Sequence, residues 1–151
     1  MRHLGPSSDV APLHLLAAGT RLLGDLDGAV ELYAESLQLN RRLGDARMVA
    51  TELHNIGHVE LHRGNVPAAE RCFAECVELR KTDDPYDIAM THLNQAALAF
   101  AREEHDRAAE LLWRTGSTLE KAEIALDPDD AFEVDWLQSR LRSGAEPSSR
   151  R

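Results

Sequence analysis

Lysine is almost missing from this chain of 151 residues: of 17 basic side chains only Lys81 and Lys121 are lysine, and no basic cluster offsets the 26 acidic ones. With a formal net charge of −9, the electrostatic footprint of nucleic-acid binding is lacking, which excludes DNA or RNA as a partner. Long apolar runs are missing too. No stretch reaches the roughly 18 apolar residues that a membrane span needs, and the opening MRHLGPSSDV lacks the apolar core of a secretion signal. The two cysteines, Cys72 and Cys76, sit four apart on an expected helix, where they share a face but are poorly placed to bridge. No disulfide framework is expected, and the expected setting is the cytoplasm. The preference for arginine over lysine points by association to a bacterial source. Aromatics make up only 5%, while leucine and alanine dominate the apolar set, which favours helix.

What is present is a repeat. Shifting the chain by forty residues aligns Leu13, Leu53 and Leu93; Leu16, Ile56 and Ala96; and Ala17, Gly57 and Ala97. Ala29, Ala69 and Ala109 also coincide, followed by Tyr33, Phe73 and Trp113, and Gly24 and Gly64 align with Glu104 as the odd member. Each unit reads as two helices. In the second, Asp45 caps a helix that ends near Arg63, Gly64 suits a left-handed stop, and Asn65 caps the next helix with Pro67 in its first turn. At about 100° per residue, Leu53, Ile56, Gly57 and Glu60 share one stripe, and Ala69, Cys72, Phe73, Cys76 and Leu79 share another. Small residues such as Gly57 and Ala69 then let two axes approach, with Phe73 filling the space beside them. On that reading Cys72 and Cys76 are buried thiols that behave as small hydrophobes.

These units resemble tetratricopeptide repeats, whose signature is W-x2-L-G-x2-Y, then A-x3-F, then proline. The second unit supplies Leu53-x2-Ile56-Gly57-x2-Glu60 and Ala69-x3-Phe73, with Asn55 and the Gly64-Asn65 turn also matching. The first supplies Leu13-x2-Leu16-Ala17, the Gly24-Asp25 turn and Ala29-x3-Tyr33. The third supplies Leu93-x2-Ala96-Ala97-x2-Phe100 and Ala109-x3-Trp113, with Glu104-His105 in place of the turn glycine and its cap. Arg41, Lys81 and Lys121 stand where the closing proline belongs, and the longer period is similar to that of arrays in large bacterial transcriptional regulators.

The resemblance implies an all-α, right-handed superhelical stack of three helix pairs plus a C-terminal capping helix. Residues 10–143 form one domain on this reading, with repeats at about 10–45, 46–84 and 85–127 and a capping helix at 128–143 that stops at Gly144. Val134, Leu137 and Leu141 on that helix are expected to cover the third unit. Phe132 and Trp136 lie on a separate stripe, for packing on the array or for a homodimer contact. Residues 1–9 and 144–151 are expected to be disordered.

His54, His58 and His62 recur at a spacing of four, at about 100°, 140° and 180° from Leu53, and so are expected to point away from the packed stripe. The resemblance implies that first helices line a concave groove holding a peptide, with His14, His54 and Asn94 in one row and Ala18, His58 and Leu98 in the next. Leu22, His62 and Arg102 make a third, bordered by Arg21. The expected function is non-enzymatic protein–protein interaction with a partner peptide or helix, as the sensing or docking part of a bacterial regulator. Arg21, Arg102 and protonated histidines would favour an acidic partner. Three readings of the histidines compete: groove or solvent residues, a divalent metal clasped by an i, i+4 pair, and catalysis. The metal reading lacks a third fixed ligand. Catalysis would have only Glu60 and Glu78 as neighbours of a general base. No catalytic residue, metal or cofactor is assigned. A metal- or small-molecule-responsive module is the alternative, and an enzyme comes last. The lysine and asparagine clamp that grips chaperone tails in some relatives has no counterpart.

Overall fold

The computed structural model describes residues 6–80 and 83–145, with side chains described between positions 12 and 144. Among the described residues there are seven α-helices and no strand: α1 (Pro6–Leu22), α2 (Leu26–Leu43), α3 (Ala46–His62), α4 (Val66–Leu79), α5 (Pro85–Ala101), α6 (His105–Ala122) and α7 (Pro128–Ala145). The chain divides into two compact units, Met1–Arg80 and Lys81–Arg151. Unit 1 holds α1 to α4 and unit 2 holds α5 to α7.

Local chemistry sets each helix start. The Asp25 carboxylate accepts from the Gly28 N–H, that of Asp45 from the Met48 N–H, and the Asn65 side-chain oxygen from the Ala68 N–H. These bonds satisfy backbone donors that a helix start leaves open. Before Asp25 and Asn65 the chain turns through Gly24 (φ 92°) and Gly64 (φ 80°), in the left-handed region that glycine enters without steric cost. Residues 6–9, expected to be disordered, lie in α1. At the other end α7 runs through Gly144 to Ala145 instead of stopping there. Glycine costs only about 1 kcal/mol inside a helix, too little to stop one alone. Residues 1–5 and 146–151 lie outside the described residues.

The core of unit 1 gathers Ala17, Ala29, Tyr33, Leu37, Val49, Ala50, Leu53, Ile56, Val59 and Cys76. Gly57 is needed where it stands. A Cβ there would come within 2.8 Å of the Cζ of Phe73, so the ring sits in the space that a side chain would claim. Cys76 is buried and its thiol donates to the Ala50 carbonyl oxygen at 3.3 Å. Cys72 is half-buried, and burial, with Glu60 and Glu75 adding to it, raises its thiol above the ordinary range. Both thiols are therefore poor nucleophiles.

Unit 2 keeps the plan with a different register. Asp25 and Asn65 are 40 residues apart, whereas Asn65 and Glu104, and likewise Asp45 and Asp84, are 39 apart. The missing residue falls after α4, which has 14 residues against 18 in α2. Consequently Ala108 and not Ala109 is buried, and Trp113, expected in the core beside Tyr33 and Phe73, is 70% exposed. A slip of one residue turns a side chain through about 100°, enough to carry it from core to solvent. The residue in the aromatic position is Leu112, which packs on the cluster of Ala89, Met90, Leu93, Ala96, Leu111, Leu119 and Leu137. The turn shifts likewise: Glu103 takes the left-handed conformation (φ 63°), and Glu104 sits at the cap without a side-chain capping bond.

Within unit 2, Leu137 is buried, with Val134, Trp136 and Leu141 packed against the same cluster. Tyr86, at the start of α5, pins α7: its hydroxyl donates to Asp130 Oδ2 at 2.6 Å and accepts from the Asp127 N–H at 3.2 Å. Burial, with the Asp130 charge beside it, pushes the Tyr86 phenol well above its usual range.

Candidate functional site: a polar layer on the first helices

Three of the residues singled out as groove positions in unit 1 are core residues. His54, His58 and Arg21 are 2%, 1% and 2% exposed, which corrects the expectation that they face away from packed surface. The wheel argument assumed one buried stripe. Instead, eight consecutive residues of α3, Glu52 to Val59, are buried, so this helix is enclosed around its whole circumference. The His54 and His58 rings meet edge-on at 4.7 Å, and His58 lies 5.1 Å from the Phe73 ring. His62, at the helix end, is half-buried.

Around them lies a network that the repeat pattern does not announce. His14 of α1 approaches Glu52 of α3 with Nδ1 2.8 Å from Oε1. The Asn55 amide donates to the same carboxylate oxygen at 3.3 Å and accepts from Arg21 Nη1 at 3.2 Å. Arg21 also donates to the Tyr33 hydroxyl at 3.4 Å, while the His14 ring stands edge-on to Tyr33 at 5.9 Å. Glu52 is fully buried, with Oε2 lacking a hydrogen-bond partner. An arginine, a carboxylate and an asparagine between them thus join α1, α2 and α3. Buried charges are costly to strip of water and are tolerated when paired and hydrogen-bonded. The only sequence signal for this was the presence of Arg21 and Glu52 at helical spacings from apolar residues, which a solvated face also produces.

In unit 2, Asn94 is 2% exposed, so it too belongs to the core. The 39-residue register matches it to Asn55 and not to His54. Leu98 is half-buried and Arg102 exposed. His92 is held below the ordinary imidazole range by burial and then by Arg114. Phe100 stacks on His105 at 5.3 Å and takes the Trp136 ring edge-on at 5.7 Å. Arg140 lies 5.1 Å above Trp136, so Trp136 is engaged inside its own unit and Phe132 is 36% exposed.

Chemically, the arrangement is a structural clamp. Glu60, one of two carboxylates that could have served a catalytic histidine, pairs with Arg63 at 3.0 Å, and Glu78 is exposed. Among the described residues no group of three or more His, Cys, Asp or Glu is placed to hold a metal ion. No described helix is long and apolar enough to cross a membrane.

Comparison with known proteins agrees with the helix pairing. Residues 9–82 match the family model of the tetratricopeptide repeat. The crystal structure of BtubC (BKLC) from P. vanneervenii superposes with a TM-score of 0.65 at 21% identity, over 96% of this chain. This likeness is one of fold, and the chain spans 59% of that protein's chain. No curated protein matches the sequence at a significant level.

Proposed function

Because residues 9–82 match the family model of the tetratricopeptide repeat, we propose that the chain is a non-enzymatic module that binds a protein partner on its first helices. Repeats of this family generally serve protein–protein interaction. The observation that carries the reading is the polar layer, in which His14, Arg21, Glu52 and Asn55 tie α1 to α3. A face held this way is ordered before a partner arrives, which lowers the entropy lost on binding.

With Arg21, His54, His58 and Asn94 in the interior, the groove residues that reach the surface are half-buried His14 and His62 in unit 1 and, taken by itself, half-buried Leu98 and exposed Arg102 in unit 2. Their basic character favours an acidic peptide or helix, and the setting we infer is docking within a bacterial cytoplasmic regulator. The test begins by identifying proteins retained by the untagged chain, then measures one of them by fluorescence anisotropy. His62→Ala in unit 1 and Arg102→Ala in unit 2 are tested separately; the one in the unit that binds should weaken binding at least tenfold and leave the melting temperature within about 2 °C, as surface changes do. Binding should also fall as salt rises, since exposed charges are screened. His54→Asn and His58→Asn should instead lower the melting temperature. A partner bound equally well by both variants would sink the assignment of these contacts.

A further inference from the structure

Four of the eight large apolar side chains standing exposed among the described residues belong to α1 and the residue after it: Leu15 at 70%, Leu16 at 58%, Leu22 at 44% and Leu23 at 89%. With Pro12 and Gly19, both exposed, they recur at helical spacing along one side. The chain itself shows what such a side is for. Forty residues on, Leu15 and Leu16 correspond to Asn55 and Ile56, which are 1% and 8% exposed. Asn55 is covered by the first helix of the preceding repeat, through Arg21 of α1. The exposed side of α1 is therefore the same docking side, one repeat earlier.

We propose that this side is covered by a second copy of the chain, α1 against α1 about a two-fold axis. Three observations favour that occupant. Where α3 offers Asn55 to an arginine, α1 offers Leu15, so the cover it fits is apolar, and α1 supplies just such a surface. From Val10 to Gly24 there is no carboxylate, although the chain carries −9 overall. Two copies can thus approach here without the like-charge repulsion that opposes contact elsewhere. Gly19 lies within the stripe, and a Cβ built on it meets nothing within 4 Å. The two helix axes can approach closely at that point, with leucines on either side interleaving. A patch that complements itself closes as a dimer and not as a fibre.

The experiment is sedimentation equilibrium of the full chain, under reducing conditions, from about 1 to 200 µM, a span that brackets the micromolar affinities of weak specific contacts. The monomer is 16.8 kDa, and the expected result is a reversible equilibrium with a species of twice that mass. Leu15→Glu with Leu16→Glu should raise the dissociation constant at least a hundredfold while helical circular dichroism is retained. Leu23→Glu, at the most exposed of the four, should weaken association independently. Trp113→Glu and Phe132→Glu, on exposed apolar residues of unit 2, should leave it unchanged. A wild-type chain monomeric throughout overturns the proposal. So does a dimer that survives both α1 variants or dissolves with either unit 2 variant.

Discussion

In unit 1 the ring of Phe73 occupies the space where a side chain on Gly57 would stand; in unit 2 the matching positions hold Leu112 and Ala96, a smaller side chain beside a larger one. The same exchange appears elsewhere. Unit 1 seals a buried Glu52 with His14 and Asn55, and unit 2 has Thr91 at the corresponding place. Unit 1 turns through Gly64, whereas unit 2 forces Glu103 into the same left-handed conformation. A repeat plan therefore does not prescribe side chains one at a time. It prescribes sums: a volume between two helices, a satisfied polar layer, a turn of given hand. Each unit meets those sums in its own way.

The largest test removes the carboxylate that unit 1 buries where unit 2 has Thr91. Glu52→Ala should cost about 3–5 kcal/mol, because His14 and Asn55 lose the buried acceptor they share, and Asn55 is the residue that receives Arg21. Thr91→Ala in unit 2 should cost about 1 kcal/mol, the scale of one ordinary hydrogen bond. Equal losses in chemical denaturation would show that the two cores are not chemically distinct. Next comes the volume exchange. Gly57→Ala alone should destabilise by about 1–3 kcal/mol through overpacking against Phe73. Adding Phe73→Leu, which rebuilds unit 2's pair in unit 1, should recover part of that loss. A double-mutant cycle with coupling under about 0.5 kcal/mol would break the claim of a shared volume.

A smaller gain is expected at the turn. Glu103→Gly should stabilise by about 1 kcal/mol, since a non-glycine residue in the left-handed region costs roughly 1–2 kcal/mol; the reverse change, Gly64→Glu, should destabilise by a similar amount. The smallest effect sharpens the register itself. Trp113→Ala should change stability by no more than about 0.5 kcal/mol, as surface substitutions do, while Phe73→Ala should cost about 3–5 kcal/mol. If Trp113 proved as costly as Phe73, the forty-residue alignment would hold in the third pair after all.

Much of this architecture was legible in the sequence, because helix pairing is written in local terms. Asp45, Asn65 and Gly64 announce starts and stops by their own chemistry, and Gly57, Ala69 and Phe73 announce a close approach. The third pair was misaligned by one residue because its turn carries glutamates, which look like solvent residues and mark no boundary. The histidines were misplaced for another reason. A helical wheel assumes one buried side, and α3 is buried on all of them, a property of its neighbours and not of its own pattern. The polar layer was hidden most deeply: Arg21, Glu52 and Asn55 come from two repeats, and nothing in either repeat alone says that they meet. Partner contacts leave no such mark, since a side chain at the surface, as at His62, Leu98 or Arg102, does not announce what it touches.

That last arrangement bears on how such a chain can have come by its units. Arrays lengthen and shorten when whole repeats are copied or lost, which works best while the copies are interchangeable. Arg21 lies in the repeat of α1 and α2, while the asparagine that receives it and the carboxylate beyond lie in the repeat of α3 and α4. A copy of the first repeat placed after itself would present Leu15 to that arginine. That event strands a charge in the interior. The polar layer thus gives two repeats fixed addresses, and a duplication at this junction would be removed by misfolding before it could be tried for function.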